Sequence, residues 1–285
     1  MSVIKAVVNL NVLETPEGEP HPRFELLTRF NVRELAQQIT LIDEGLYKSI
    51  RLMELTGEAR HDKQKSPNVH RFIDFSNEVS NWVANAILRE TNTKDRAKIM
   101  SNLIALCDHL KSIRNFNSMM SILAGLTVSA VNRLRQTQRL MPPNSQKIYQ
   151  QIQVEMGAIG SFKLYREILR NGSGPCIPFM GVTLNDITFT EDGNSDHTKD
   201  GLVNWTKRTL LFSTLSQFME YQKSCNYDYV ETPMRESFLR RVQTSRALEG
   251  DLYQLSLDLE PMESLHKSPK TLRQSFTSIK IPFGS

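Results

Sequence analysis

Apolar positions recur at steps of three and four along most of this chain, the spacing that gathers side chains on one face of an α-helix. Leu35, Ile39, Ile42, Leu46 and Ile50 form the first stripe, and Asn31 followed by Glu34 offers a cap pair at its start. Val69, Phe72, Ile73, Val79, Trp82, Val83 and Ile87 form the second, after a polar connection over 56–67 that ends Ser66-Pro67-Asn68. A third stripe through Ala97, Met100, Ile104, Cys107 and Leu110 predicts helix from about Thr93 to Ser112. A fourth starts near Asn115 with Phe116, Met119, Met120 and Leu123. Pro142 and Pro143 punctuate the chain, and Asn144 is a candidate cap for a helix to about Met156. A short helix over 161–170 is expected to stop at Asn171-Gly172. Past the bend Gly172–Pro178 and a mixed segment 179–194, helical patterns cover about 201–222, 233–248 and 251–259.

No segment of the body alternates strongly, although Val3–Val12 suits a short strand. The fold class expected is therefore all-α, one multi-helix domain without a sheet core. Pro16, Gly18, Pro20 and Pro22 make residues 1–30 irregular, and beyond Pro261 the chain turns Ser/Lys/Pro-rich. The expected division is an N-terminal segment 1–30, a domain 31–261 and a tail 262–285.

Composition narrows the function classes. With 285 residues, 39% of them hydrophobic, the chain can bury a sizeable core. A net charge of +4 without a dense Lys/Arg run points away from nucleic acid. Cys107, Cys176 and Cys225 are odd in number and far apart, which fits a reducing, cytoplasmic setting better than a disulfide framework or zinc site. No apolar run approaches the roughly 18 residues that span a membrane, so any membrane association is expected to come through partners.

Covalent chemistry finds no foothold. There is no phosphate loop: Gly157-Ala-Ile-Gly160-Ser-Phe-Lys163 has the wrong spacing and reads as a helix boundary. Asn92-Thr93-Lys94-Asp95 reads as a helix N-terminus. The six histidines are scattered, and Cys107 and His109 cannot face each other at a two-residue step on a helix. Neither a metal nor a cofactor is expected.

Five strings then appear in order between residues 31 and 261. They are Glu34-Leu35-Ala36-Gln37-Gln38-Ile39-Thr40-Leu41-Ile42; Ser66-Pro67-Asn68 with Asn77-Glu78-Val79-Ser80-Asn81-Trp82-Val83; Asn115-Phe116-Asn117 with Val131-Asn132-Arg133-Leu134; Pro175-Cys176-Ile177-Pro178-Phe179-Met180-Gly181 through Glu191-Asp192-Gly193-Asn194 to Leu202-Val203-Asn204-Trp205-Thr206-Lys207-Arg208; and Leu252-Tyr253-Gln254-Leu255-Ser256-Leu257 with Glu260-Pro261. Together they resemble the catalytic domain of Ras-type guanine-nucleotide exchange factors, the RasGEF family.

The resemblance implies a helical hairpin over about 179–221 that enters a small GTPase beside its nucleotide. It implies that Thr188, Glu191, Asp192 and Asn194 act at the phosphate and magnesium site. It further implies that Ile73, Met120, Phe162, Phe179 and Leu184 grip the GTPase's switch II segment. The implied partner is a Ras-family GTPase, Ras or Rap, bound tightest without nucleotide, and the activity is nucleotide release without covalent chemistry. An inactive GTPase-binding scaffold of the same fold is the alternative, and a general helical interaction domain a third reading. The chain departs from relatives at three places: Asp192 is one methylene shorter than a common glutamate, Thr188 is polar where several are aliphatic, and Asp74 is acidic where some are basic.

Overall fold

The computed structural model describes residues 31–246, 248 and 250–261. The strand expected over Val3–Val12 and the tail over 262–285 lie outside the described residues. Within them the chain is helical and forms no strand; backbone pairing between extended residues is limited to isolated bridges, Asn115 with Ile177 and His197 with Val203. The helices are α1 (Val32–Ser49), α2 (Pro67–Leu88), α3 (Thr93–Ser112), α4 (Phe116–Thr127), α5 (Ser129–Asn132), α6 (Arg135–Arg139), α7 (Pro143–Glu155), α8 (Lys163–Asn171), α9 (Met180–Asp192), α10 (Trp205–Ser224), α11 (Pro233–Arg246) and α12 (Leu252–Leu259). Two 3₁₀ turns, Leu52–Glu54 and Gly57–His61, occupy the polar connection between α1 and α2.

Asparagines set several boundaries. The Asn92 carboxamide accepts from the Lys94 and Asp95 amides at 2.9 and 3.2 Å, which starts α3 where the pattern placed it. Asn115 accepts from the Ser118 amide at 3.1 Å and starts α4. Asn31 caps α1 through the Arg33 amide at 3.0 Å. Glu34 does not reciprocate, because its carboxylate takes the Thr232 hydroxyl at 2.8 Å instead.

Three expected starts move. Helix α7 begins at Pro143, so Asn144 sits inside the first turn; proline's fixed φ and missing N–H suit that position. Ser161 and Phe162 lie in the left-handed region, at φ 54° and 61°, and delay α8 to Lys163. Helix α10 starts at Trp205 rather than Gly201, because Asn204 accepts from the Lys207 amide at 3.2 Å and the residues before it belong to a bridged turn.

The main core lies between α1, α2, α3, α4, α7 and α11. Helix α4 crosses α2 closely at Gly125, where a Cβ would stand 2.5 Å from the Ser80 carbonyl oxygen. Trp82 of α2 meets Phe238 of α11 edge-on at 5.2 Å. A buried polar clamp closes the far end. The Glu260 carboxylate accepts from the Gln136 and Thr137 amides and the Thr137 hydroxyl at 2.7–2.9 Å, and Arg96 stands 3.7 Å away. Burial opposes the charge of Glu260, but these donors and Arg96 prevail and hold its carboxyl below its ordinary value.

A smaller core is separate. Tyr47, Ile50 and Leu55 after and within the end of α1, Val69 and Phe72 of α2, Met180, Leu184 and Ile187 of α9, and Leu211 and Phe218 of α10 pack together. Tyr47 joins both sides, its ring 5.8 Å from Phe72 and 5.0 Å from Phe218. This cluster roots the α9–α10 pair on the body.

Candidate functional site

The chain enters α9 through a fixed path. The Ile177 amide donates to the Arg114 carbonyl at 3.0 Å and the Phe116 amide to the Ile177 carbonyl at 2.9 Å. The Phe179 amide donates to the buried Tyr165 hydroxyl at 2.8 Å. Phe179 then folds back over Gly181, where a Cβ would stand 2.4 Å from its ring, so a larger residue there would displace the Phe179 ring.

From there α9 and α10 run as a hairpin, and α10 packs extensively on α9 alone. Only Lys207, Leu211 and Phe218 of α10 are buried. The connecting turn is ordered by its own hydrogen bonds: Thr198 amide to Leu202 carbonyl at 2.7 Å, Asn204 amide to Asp196 carbonyl at 2.9 Å, and Asn204 Nδ2 to Ser195 carbonyl at 2.9 Å. At mid-length, Arg166 of α8 grips Asp186 of α9 in a bidentate pair at 2.7 and 2.8 Å. That carboxylate holds the Arg166 guanidinium above its ordinary pKa.

The acidic tip splits into two environments. The Glu191 side chain is 14% exposed; its carboxylate accepts from the Gly57 amide at 2.8 Å and pairs with Arg60. The Asp192 side chain is 68% exposed and touches Arg60 only at 3.3 Å. Lys207 crosses from α10 to donate to the Glu191 carbonyl at 2.9 Å and to pair with Asp196 at 3.1 Å, which holds the Asp196 carboxyl below its usual value. Asn194 closes the end of α9 by donating to the Thr190 carbonyl at 2.9 Å. Thr188 is half-buried and stands one turn before Asp192, on the same side of the helix.

The residues expected to grip a partner fall in both cores. Phe162 and Phe179 pair edge-on at 6.2 Å and belong, with Met120, to the main core. Ile73 and Leu184 belong to the smaller one. The seam between them is tied by Asn117, which donates to Ser76 of α2 at 3.0 Å and accepts from the Met180 amide at 3.5 Å. Met120 and Leu184 are nearly fully covered, at 4% and 8%, whereas Ile73 and Phe162 are half-exposed. Asp74 pairs with Lys63 at 2.9 Å.

Sequence reasoning did not single out three features. Arg60 comes from a 3₁₀ turn without periodicity. Lys207 lay within a recognised string, yet nothing local pointed to its cross-hairpin bonds. Phe189, Leu202, Trp205 and Phe212 are 68–75% exposed on the hairpin, a concentration of uncovered apolar surface. Helical spacing alone marks such residues as core candidates; only the projection of the hairpin leaves them bare.

Among the described residues no group of His, Cys, Asp or Glu is placed to hold a metal ion, and no helix is long and apolar enough to cross a membrane. All three cysteines are free and buried.

The RasGEF domain family model matches residues 34–209. Among similar curated proteins are three of Dictyostelium discoideum. Ras guanine nucleotide exchange factor A is 36% identical over 252 residues, covering 85% of this chain and 41% of that protein. Ras guanine nucleotide exchange factor K is 34% identical over 253 residues, covering 87% of this chain and 16% of the relative. Ras guanine nucleotide exchange factor B is 35% identical over 237 residues, covering 81% and 15%. The chain thus spans less than half the length of each of these relatives. The match over 34–209, more than half of the chain, together with these relatives, places this chain in the RasGEF domain family.

Proposed function

We propose that this chain promotes GDP release from a Ras-family GTPase, Ras or Rap, by inserting the α9–α10 hairpin beside the bound nucleotide. The observation that carries this reading is the exposed Asp192 carboxylate at the end of a helix fixed to the body at its root, middle and tip. A small GTPase holds its nucleotide through phosphate-loop amides, a lysine and Mg²⁺. Asp192 would compete for the phosphate-site donors. Thr188, one turn earlier on the same side, would crowd the Mg²⁺ position. Asn194, by fixing the last turn, would keep both in register. The seam of Ile73 and Phe162, backed by Phe179, Met120 and Leu184, would take an apolar anchor from the switch II segment; burying one such side chain contributes about 1.5–3 kcal/mol.

The action is linkage without bond making. A protein that binds the empty GTPase more tightly than the loaded one weakens nucleotide binding by the same factor. A factor of about 10⁴ needs about 5.5 kcal/mol of differential affinity. GTP then loads by mass action.

The test is release of fluorescent GDP from a panel of Ras, Rap, Ral and Rho GTPases with GTP in excess. Acceleration on Ras-branch members is expected. Asp192→Ala should lower it roughly 10- to 100-fold, the range for losing a hydrogen-bonded charge, with unchanged thermal unfolding. Undiminished exchange in that variant would overturn the role of Asp192. Tight binding to an empty GTPase without acceleration would leave the scaffold reading.

A further inference from the structure

We propose that Arg60 is a positioning residue which fixes the hairpin tip by holding Glu191, so that Glu191 serves the body of this chain and Asp192 alone serves the partner. The inference rests on the exchange reading for its functional consequence but not for the clasp itself.

Several observations converge. Arg60 is 7% exposed, a nearly buried guanidinium in a turn with no regular pattern. A charge so placed needs partners, and its main partner is Glu191, 131 residues away. The same turn adds a second hold, since the Gly57 amide donates to the other Glu191 oxygen at 2.8 Å. Arg60 Nε donates to His61 Nε2 at 2.8 Å, which fixes the plane of the fork. From the opposite side Lys207 takes the Glu191 carbonyl at 2.9 Å. Glu191 is thereby held by its carboxylate to the body and by its backbone to α10. The neighbouring Asp192, at 68% exposure against 14%, has no comparable restraint. Two adjacent acids of similar chemistry therefore divide the work: one sets where the last turn of α9 stands, and the other projects from it.

The anchor reaches the body through α2. The Glu54 carboxylate, just before the Gly57–His61 turn, accepts from the Asn68 and Val69 amides at 2.8 and 3.1 Å and so ties the segment to the start of that helix. Displacing the turn would release the tip while the two cores stayed packed.

The experiment measures two things on Arg60→Ala, Glu191→Gln and the double variant. The first is hydrogen exchange of the backbone amides over 188–194, with the amides of α2 and α4 as an internal reference. The second is GDP release from the GTPase that responds to the unaltered chain, resolved into kcat and KM. Both single variants should raise exchange at the tip at least tenfold and leave α2 and α4 unchanged. Both should lower kcat more than they raise KM, and the double variant should be no worse than either single one. Arg60→Lys, which keeps the charge but not the fork, should recover part of the protection.

Unchanged tip exchange in Arg60→Ala would overturn the clasp. So would a Glu191→Gln variant that loses activity with full protection, since Glu191 would then be contacting the partner. Additive losses in the double variant would overturn it as well. If no GTPase responds to the unaltered chain, the exchange reading fails, while the hydrogen-exchange arm still decides the clasp.

Discussion

Replacing Asp43 with asparagine should change the stability of this protein by an amount that depends on pH. Asp43 is fully buried on α1. One oxygen accepts from the Ser118 hydroxyl at 2.5 Å, while Oδ1 has no hydrogen-bond partner. Burial drives its pKa from 3.8 up to about 6; the Ser118 hydroxyl and, behind it, the nearby amides of Asn115 and Asn117 offset only part of that. The folded state therefore holds a proton that the unfolded chain gives up at lower pH. Well below 3.8 the carboxyl is neutral in both states. As pH rises from 3.8 through 6 stability is lost, and above 6 the ionised group carries the full cost of about 3 kcal/mol. Asparagine cannot ionise. It can keep the bond from Ser118, but it places an amide where Oδ1 now lacks a partner, a pH-independent cost of about 1 kcal/mol. Asp43→Asn should thus be less stable than the parent by about 1 kcal/mol near pH 3 and more stable by about 2 kcal/mol at pH 7.5. The assay is urea unfolding at both values. With a slope of about 3 kcal/mol per molar, the difference in midpoints between variant and parent should change by about 1 M from one pH to the other. A variant destabilised equally at both would refute the reasoning, because Asp43 would then be ionised in the fold and well compensated there.

Two more outcomes follow from packing and charge. Gly125→Ala places a methyl 2.5 Å from the Ser80 carbonyl, so α4 and α2 must separate. Despite alanine's better helix propensity, it should cost about 1–3 kcal/mol and lower the thermal midpoint by several degrees; an unchanged or raised midpoint would contradict the close crossing. Lys207→Met keeps the buried stem and removes the ammonium that holds the Asp196 carboxyl low. The Asp196 carboxyl followed by NMR titration should move up toward 3.8, and a carboxyl that stays put would show that Lys207 is not its partner.

Most helices were legible because each carries its own punctuation. Asn92 and Asn115 cap α3 and α4 with local bonds, and any reader of the chain can see them. Asn144 misled because proline also starts helices, and Pro143 came first. Residues 201–204 misled because apolar Leu202 and Val203 mimic a helical face, whereas a bridge from His197 to Val203 folds them into a turn. At the candidate site the acidic string at 191–194 was visible as a string. What separates Glu191 from Asp192 was not, since the separation is made by Arg60 far away in sequence, in a turn without hydrophobic period. Asp43 falls on the face of the first apolar stripe, between Ile39 and Leu46; what the sequence does not show is its partner, Ser118 of another helix.

The chain contains two tryptophans, and the fold has placed them in opposite surroundings. Trp82 is 1% exposed in the main core, and Trp205 is 75% exposed at the start of α10. Each therefore reports on one region only. Acrylamide or iodide will quench the red-shifted emission of Trp205 and leave the blue-shifted emission of Trp82 almost untouched. The unlabelled protein thus carries an optical gauge of its hairpin beside an internal standard for its core.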